Sequence, residues 1–176
     1  MRYLLFGSLF CCLFSACITS KNSVIDEKKT AMSFWTPDLR DNTIKNEFRL
    51  TISTPKANIT GICAIKQING EWKGTIFNEF GLKILDFVST SKNCKVMNVI
   101  SFLDKTYIKK VIASDIQFIM EVDNPNYSYG AHTSRFFEDH ILVVTYNKVK
   151  ELRRFPKGGI QYKNRKHNLT YTFNKL

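Results

Sequence analysis

From residue 47 onward, apolar and polar positions alternate with a period of two, the mark of strands with one buried face. In 47–54 (EFRLTIST), Phe48, Leu50 and Ile52 share a face. In 57–68, Ile59, Cys63 and Ile65 lie on one face and Ile62 and Ala64 on the other. Asn69-Gly70 is a two-residue hairpin signal, and 71–80 (EWKGTIFNEF) is the return strand. Gly81 marks the next turn, 82–89 (LKILDFVS) runs back, and 94–102 (CKVMNVISF) completes five strands. The period then changes. Between Asp104 and Asp123, the residues Ile108, Val111, Ile112, Ile116, Ile119 and Val122 form one helical stripe. Asp104 stands where an N-cap would, and Lys105, Lys109 and Lys110 occupy the polar side. The turn-rich stretch 124–139 reads as a loop. Strands resume at 140–147, 149–155, 159–163 and 168–174, where Leu169, Tyr171 and Phe173 alternate cleanly.

This order predicts a single, mainly β domain over 47–176 with one long helix near 104–123. Several strands are apolar on both faces, as in Ile141-Leu142-Val143-Val144. One helix covers only part of such a sheet. A curved antiparallel sheet, an open half-barrel with an apolar concave face, satisfies the pattern. Ile108, Ile112, Ile116 and Ile119 are the candidate cavity residues, with plain core packing as the alternative.

The first residues, MRYLLFGSLFCCLFSAC, have a different logic. Arg2 is a short basic segment, Tyr3 to Phe14 are apolar, and Ser15 and Ala16 are small. That is the layout of an export signal over 1–16. Phe14-Ser15-Ala16-Cys17 resembles a bacterial lipobox, with Phe14 where leucine is usual. The resemblance implies cleavage before Cys17 and diacylation of its sulfur. A plain cleaved signal and an uncleaved anchor are the alternatives. Two or more acyl chains hold a protein stably on a bilayer, whereas one does not. Residues 17–46 then form the lipidated cysteine and its tether, within which Phe34, Trp35 and Leu39 are candidates for docking on the domain. Cys63 and Cys94 fall in predicted strands. Two buried free thiols are the favoured reading, since cysteine packs well as a small hydrophobe; an exported protein also permits a disulfide between them.

The lipobox, the length of the mature domain, the meander and the inserted helix together resemble the outer-membrane lipoprotein carrier and receptor superfamily (LolA/LolB-like). The stretch Gly61…Asn78-Glu79-Phe80-Gly81-Leu82-Lys83…Asp86-Phe87, ahead of the helix, is also similar to envelope lipoproteins of this fold from Bacteroidetes-type bacteria. The resemblance spans roughly 47–174. It implies an open half-barrel with a helical lid, an apolar cavity for acyl chains and, in the receptor, a protruding loop bearing an exposed apolar residue.

Charge refines the picture. The chain carries a formal charge of +11. Residues 148–176 hold nine basic side chains against the single acid Glu151. Lys148, Lys150, Arg153, Arg154, Lys163, Arg165 and Lys166 make up the candidate basic surface. On an exported domain the nearest polyanions are lipid headgroups; the alternative is a solvated strand face. Nucleic acid is not expected as a partner.

No metal spacing, nucleophile elbow, Walker loop or dinucleotide fingerprint is present in the sequence. Asp123, His132, Ser134, Glu138, Asp139 and His140 gather in and beside the predicted loop, types from which a hydrolytic site could be built, but loops often contain such types. The expectation is therefore a non-enzymatic envelope lipoprotein without metal or cofactor, anchored through Cys17, most naturally in the outer membrane facing the periplasm. It would bind an apolar ligand, lipid or lipoprotein acyl chains, in its concave sheet. The alternative is a structural subunit of an envelope protein assembly.

Overall fold

The computed structural model describes residues 46–122, 124, 132–156 and 158–176. The signal, Cys17, the tether with Phe34, Trp35 and Leu39, and Asp123 lie outside these residues.

The described chain forms β1 (Asn46–Ser53), β2 (Asn58–Ile68), β3 (Glu71–Asn78), β4 (Lys83–Ser89) and β5 (Cys94–Met97), then the helix α1 (Thr106–Glu121). It continues through β6 (Thr133–Glu138), β7 (Ile141–Tyr146), β8 (Lys150–Arg154), β9 (Gly159–Asn164) and β10 (Leu169–Lys175). All ten strands join one antiparallel sheet in the order β5-β4-β3-β2-β1-β10-β9-β8-β7-β6. Two five-stranded meanders thus meet at the centre, where β1 pairs with β10 (Leu50 opposite Phe173). The sheet ends at β5 and β6 and is not closed.

The alternation read from sequence sets the two faces. Phe48 and Leu50 of β1, Cys63 and Ile65 of β2, Ile160 and Tyr162 of β9, and Tyr171 and Phe173 of β10 are all buried in one core. Against it lies the stripe of α1, with Ile112, Ile116 and Ile119 buried. Burying each such side chain contributes about 1.5–3 kcal/mol.

The contacts of α1 show that the sheet curves. Asp115 bonds to Tyr162 and Asn164 on β9. Only two residues later, Gln117 donates to the Thr90 carbonyl just beyond β4, and Glu121 meets Ser89 on β4. β4 and β9 are five strand spacings apart, about 24 Å along a flat sheet at ~4.8 Å each. A helix is only about 10–12 Å across. One helix touches both strands within two turns because the sheet curls around it.

Three expectations need correction. The strand expected at 94–102 stops at Met97, and a short 3-10 turn, Ser101–Leu103, follows. Asp104 does not cap α1; Lys105 holds the N-cap position without a side-chain bond, and Asp104 pairs with Lys109. Part of the loop expected at 124–139 is strand β6. Its hairpin turn uses Asp139 and His140, both at positive φ, a two-residue turn with none of the glycine that usually announces it. Of the two readings of Cys63 and Cys94, the free thiols hold and the disulfide does not. They stand on β2 and β5, three strand spacings or about 14 Å apart, far outside the 4.4–6.8 Å that a disulfide spans between Cα atoms.

At Gly61 the backbone approach is close: a Cβ there would lie 1.9 Å from the Phe77 carbonyl oxygen, next to the irregularity at Ile76/Phe77. Because the obstacle is backbone, Gly61→Ala should destabilise the domain by about 2 kcal/mol. A variant whose urea midpoint equals the wild type's would contradict this packing.

Candidate functional site

Strand ends and turns at one end of the sheet surround the first half of α1. The 3-10 turn, the β1–β2 turn and the β9–β10 turn all meet there. Between them lies a cavity of about 420 Å³. Its wall is mostly aliphatic: Ile52 of β1, Ile59 of β2, Leu169 of β10, Leu103, and Ile108, Val111 and Ile112 of α1. Ile108 and Ile112 therefore line the cavity. Ile116 and Ile119 do not; one turn further along they are packed into the core. The buried contacts that pin α1 to the sheet lie in its second half, and the cavity lies beside its first turns.

The pin is polar. Asp115 is fully buried and accepts hydrogen bonds from the Tyr162 hydroxyl (2.6 Å) and the Asn164 amide (2.7 Å) on the same oxygen. The Lys150 ammonium lies 3.7 Å from that oxygen and donates to the Ser114 carbonyl and hydroxyl. It also sits over the Phe118 ring, 5.6 Å from its centre. Burial pushes the Asp115 carboxyl above its usual value; Tyr162, Lys150, Asn164 and Tyr171 oppose the shift without cancelling it. Burial likewise raises Glu121, against hydrogen bonds from Asn124 and Ser89. Burial raises the Cys63 thiol and holds Cys94 up at about 12, so both stay protonated.

The polar groups of the cavity wall are few. The Thr54 hydroxyl is used by its own turn, donating to the Ala57 carbonyl and accepting from Lys56 and Ala57 N–H groups. Tyr171 turns its hydroxyl toward Asp115. Tyr107 and His167 form a pair across the wall, with the phenol oxygen 2.9 Å from Nδ1 and the rings edge to face.

The expected basic surface is divided. Lys150 and Arg154 are not surface residues; both are buried on the inner face of β8, at 9% and 3% exposure. Their alternation with the buried Leu152 aims them inward. Arg153 pairs with Glu151 and Glu138, and Arg165 pairs with Glu151. Partial burial works against the charge of Glu151, but these guanidiniums outweigh it and hold the carboxyl below its ordinary value. Lys148 and Lys166 are exposed, and Lys163 is half-buried. His132 and His140 flank β6 at its two ends, roughly 25 Å apart along an extended strand, so the fold does not bring them together. Among the described residues no group of three His, Cys, Asp or Glu side chains is placed to hold a metal ion, and no helix is long and apolar enough to cross a membrane.

The cavity residues outside α1 escaped the sequence reading. Ile52, Ile59 and Leu169 look like ordinary core positions, and only their places beside turns set them apart. On the same end of the sheet, the β3–β4 turn presents Phe80 and Leu82, which are 88% and 65% exposed. Asn78 shapes this tip by accepting the Phe80 and Leu82 N–H groups. No protein-family profile matches the chain, and no curated protein matches it significantly in sequence.

The pin makes a pH prediction. A carboxyl raised in the native state contributes stability that is fully present below its unfolded value, 3.8 for Asp115. That contribution is lost as pH rises through the folded value. Asp115→Asn keeps the acceptor oxygen but does not titrate. Its deficit relative to wild type, read from urea unfolding at a series of pH values, should therefore shrink from acid toward neutral pH. A deficit that grows over that range would show that the native carboxylate is favoured instead.

Proposed function

We propose that the domain is a non-catalytic binder of an apolar ligand, a lipid or lipoprotein acyl chain, held in the cavity between α1 and the sheet. In this reading it is a cell-envelope lipoprotein anchored through Cys17, in the outer membrane facing the periplasm, and it serves lipid or lipoprotein trafficking. The observation that carries the reading is the cavity: about 420 Å³, walled mainly by aliphatic side chains, at the open end of the sheet. Ligand pockets commonly run from ~300 to ~1,000 Å³ with apolar walls and a few placed polar groups. An acyl chain entering it gains about 0.8 kcal/mol per buried CH₂. The sheet order, the single covering helix and the cavity on the inner face support the likeness to the LolA/LolB-like half-barrel.

The β3–β4 tip supports the membrane side of the reading. Phe80 and Leu82 project at the end of the sheet where the cavity opens, which gives the domain an apolar contact point for a bilayer near its ligand entrance. The same exposed tip also suits the second reading, a structural subunit that meets an envelope protein.

Two measurements test this. Binding of neutral fatty alcohols of increasing length should tighten about fourfold per methylene until the cavity is full, and Ile108→Trp, which fills it with protein, should abolish the gain. Absence of binding at every length would sink the reading. Separately, Phe80→Ser should reduce flotation of the protein with phospholipid vesicles severalfold. Unchanged flotation would remove the tip from membrane contact and favour the assembly-subunit reading.

A further inference from the structure

The cavity has one size and one distinctive polar pair, and together they narrow the ligand. An apolar cavity of ~150 Å³ holds a benzene molecule, or roughly 25 Å³ per carbon. On that scale 420 Å³ has room for roughly sixteen carbons. That is one acyl chain. A diacyl lipid carries about twice as much hydrocarbon.

A chain lying along Ile108, Ile112 and Leu169 needs its head at a polar part of the wall. Thr54 is occupied by its turn, and Tyr171 by Asp115. Tyr107 and His167 are the wall residues whose polar pairing is with each other, across the gap between the first turn of α1 and the β9–β10 turn. The Nδ1 atom of His167 faces Tyr107, so its Nε2 edge and the phenol oxygen are the groups a ligand head would meet. His167 is half-buried and Tyr107 is 65% exposed, so the pair reaches from the wall to solvent.

Exposed cations are neighbours of this pair along the chain. Lys166 precedes His167, Lys105 stands two residues before Tyr107, and Lys56 lies in the turn that Thr54 closes; all three are exposed. The acids of the same end are engaged elsewhere, Asp104 with Lys109 and Glu79 with the Thr60 hydroxyl. An anionic head would therefore find two hydrogen-bonding groups and a cationic rim, whereas a neutral head gains only the former.

We infer that the site takes a single-chain amphiphile with an anionic head, the chain in the cavity and the head at the Tyr107–His167 pair. The inference rests on the apolar-ligand reading above and adds head and chain number to it. A carboxylate and a lysophospholipid phosphate share this chemistry.

The test uses the full-length chain and five probes, the four single-chain ones below their aggregation concentrations. They are palmitate, palmitoyl lysophosphatidylglycerol, hexadecanol, monopalmitoylglycerol and, in vesicles, dipalmitoylphosphatidylglycerol. Binding is read by displacement of a fluorescent fatty-acid analogue. One or both single-chain anions should bind at least about tenfold tighter than the neutral pair, since a hydrogen bond to a charged group is worth that much. The stronger of the two anions identifies carboxylate or phosphate as the source. In His167→Gln and Tyr107→Phe the ratio of anion to neutral affinity should fall toward one, with the melting temperature as the control for folding. Equal binding of neutral and anionic chains would overturn the head assignment and leave the cavity reading standing. Displacement by the diacyl lipid as strong as by single chains would overturn the chain number. Failure of all five would overturn the cavity reading itself.

Discussion

One buried carboxylate does much to shape the structure. Asp115 stands on a helix whose neighbouring residues reach strands on the far side of the sheet. Its bonds to Tyr162 and Asn164, with Lys150 close by, tie α1 to the second meander, while Gln117 and Glu121 tie it to the end of β4. These attachments are compatible only if the sheet wraps the helix. Charge burial is costly, and a buried carboxylate with several donors offsets that cost only in one geometry. Apolar packing of Ile116 and Ile119 would tolerate sliding or rotation of α1. The directional bonds of Asp115 do not.

Where α1 is pinned also decides where space remains. The buried polar contacts and the tightest packing fall in its second half. Its first turns meet strand ends, which carry short aliphatic side chains beside turns. The result is a cavity at one end of the sheet. Because the strands alternate direction, the same end collects the β1–β2, β3–β4 and β9–β10 turns and the start of α1. Phe80, Leu82, Tyr107, His167 and the lysines beside them share that end through topology, although they are spread over nearly ninety residues of sequence.

Charge shows how misleading a sequence count is without a fold. The C-terminal run looks like a uniform basic surface. In the structure it serves three purposes. Lys150 and Arg154 enter the interior, where Lys150 supports the helix pin. Arg153 and Arg165 converge on Glu151. Lys148 and Lys166 remain for solvent or an anionic partner. Pattern alone did not reveal the split, because Lys150, Leu152 and Arg154 alternate like a strand face yet two of the three are cations on the buried side.

The sequence by itself determined the local elements and which of their faces are buried. The period-two runs of β1 to β4, the Asn69-Gly70 turn and the stripe of α1 follow from side-chain geometry within a few residues, and they stand nearly where the pattern puts them. β6 was hidden because Phe136 and Phe137 break the alternation and its turn at Asp139-His140 has no glycine. The tertiary structure alone decided the rest: that the first and last strands pair at the centre, that Cys63 and Cys94 are separated by two strands, and that Ile108 and Ile112 face a cavity while Ile116 and Ile119 fill the core. All four isoleucines lie on one stripe with the same chemistry. What distinguishes them is what stands opposite, turns and strand ends for the first two and the packed core for the others. That placement depends on contacts such as Asp115 with Tyr162, between residues far apart in the chain, and no local pattern encodes it.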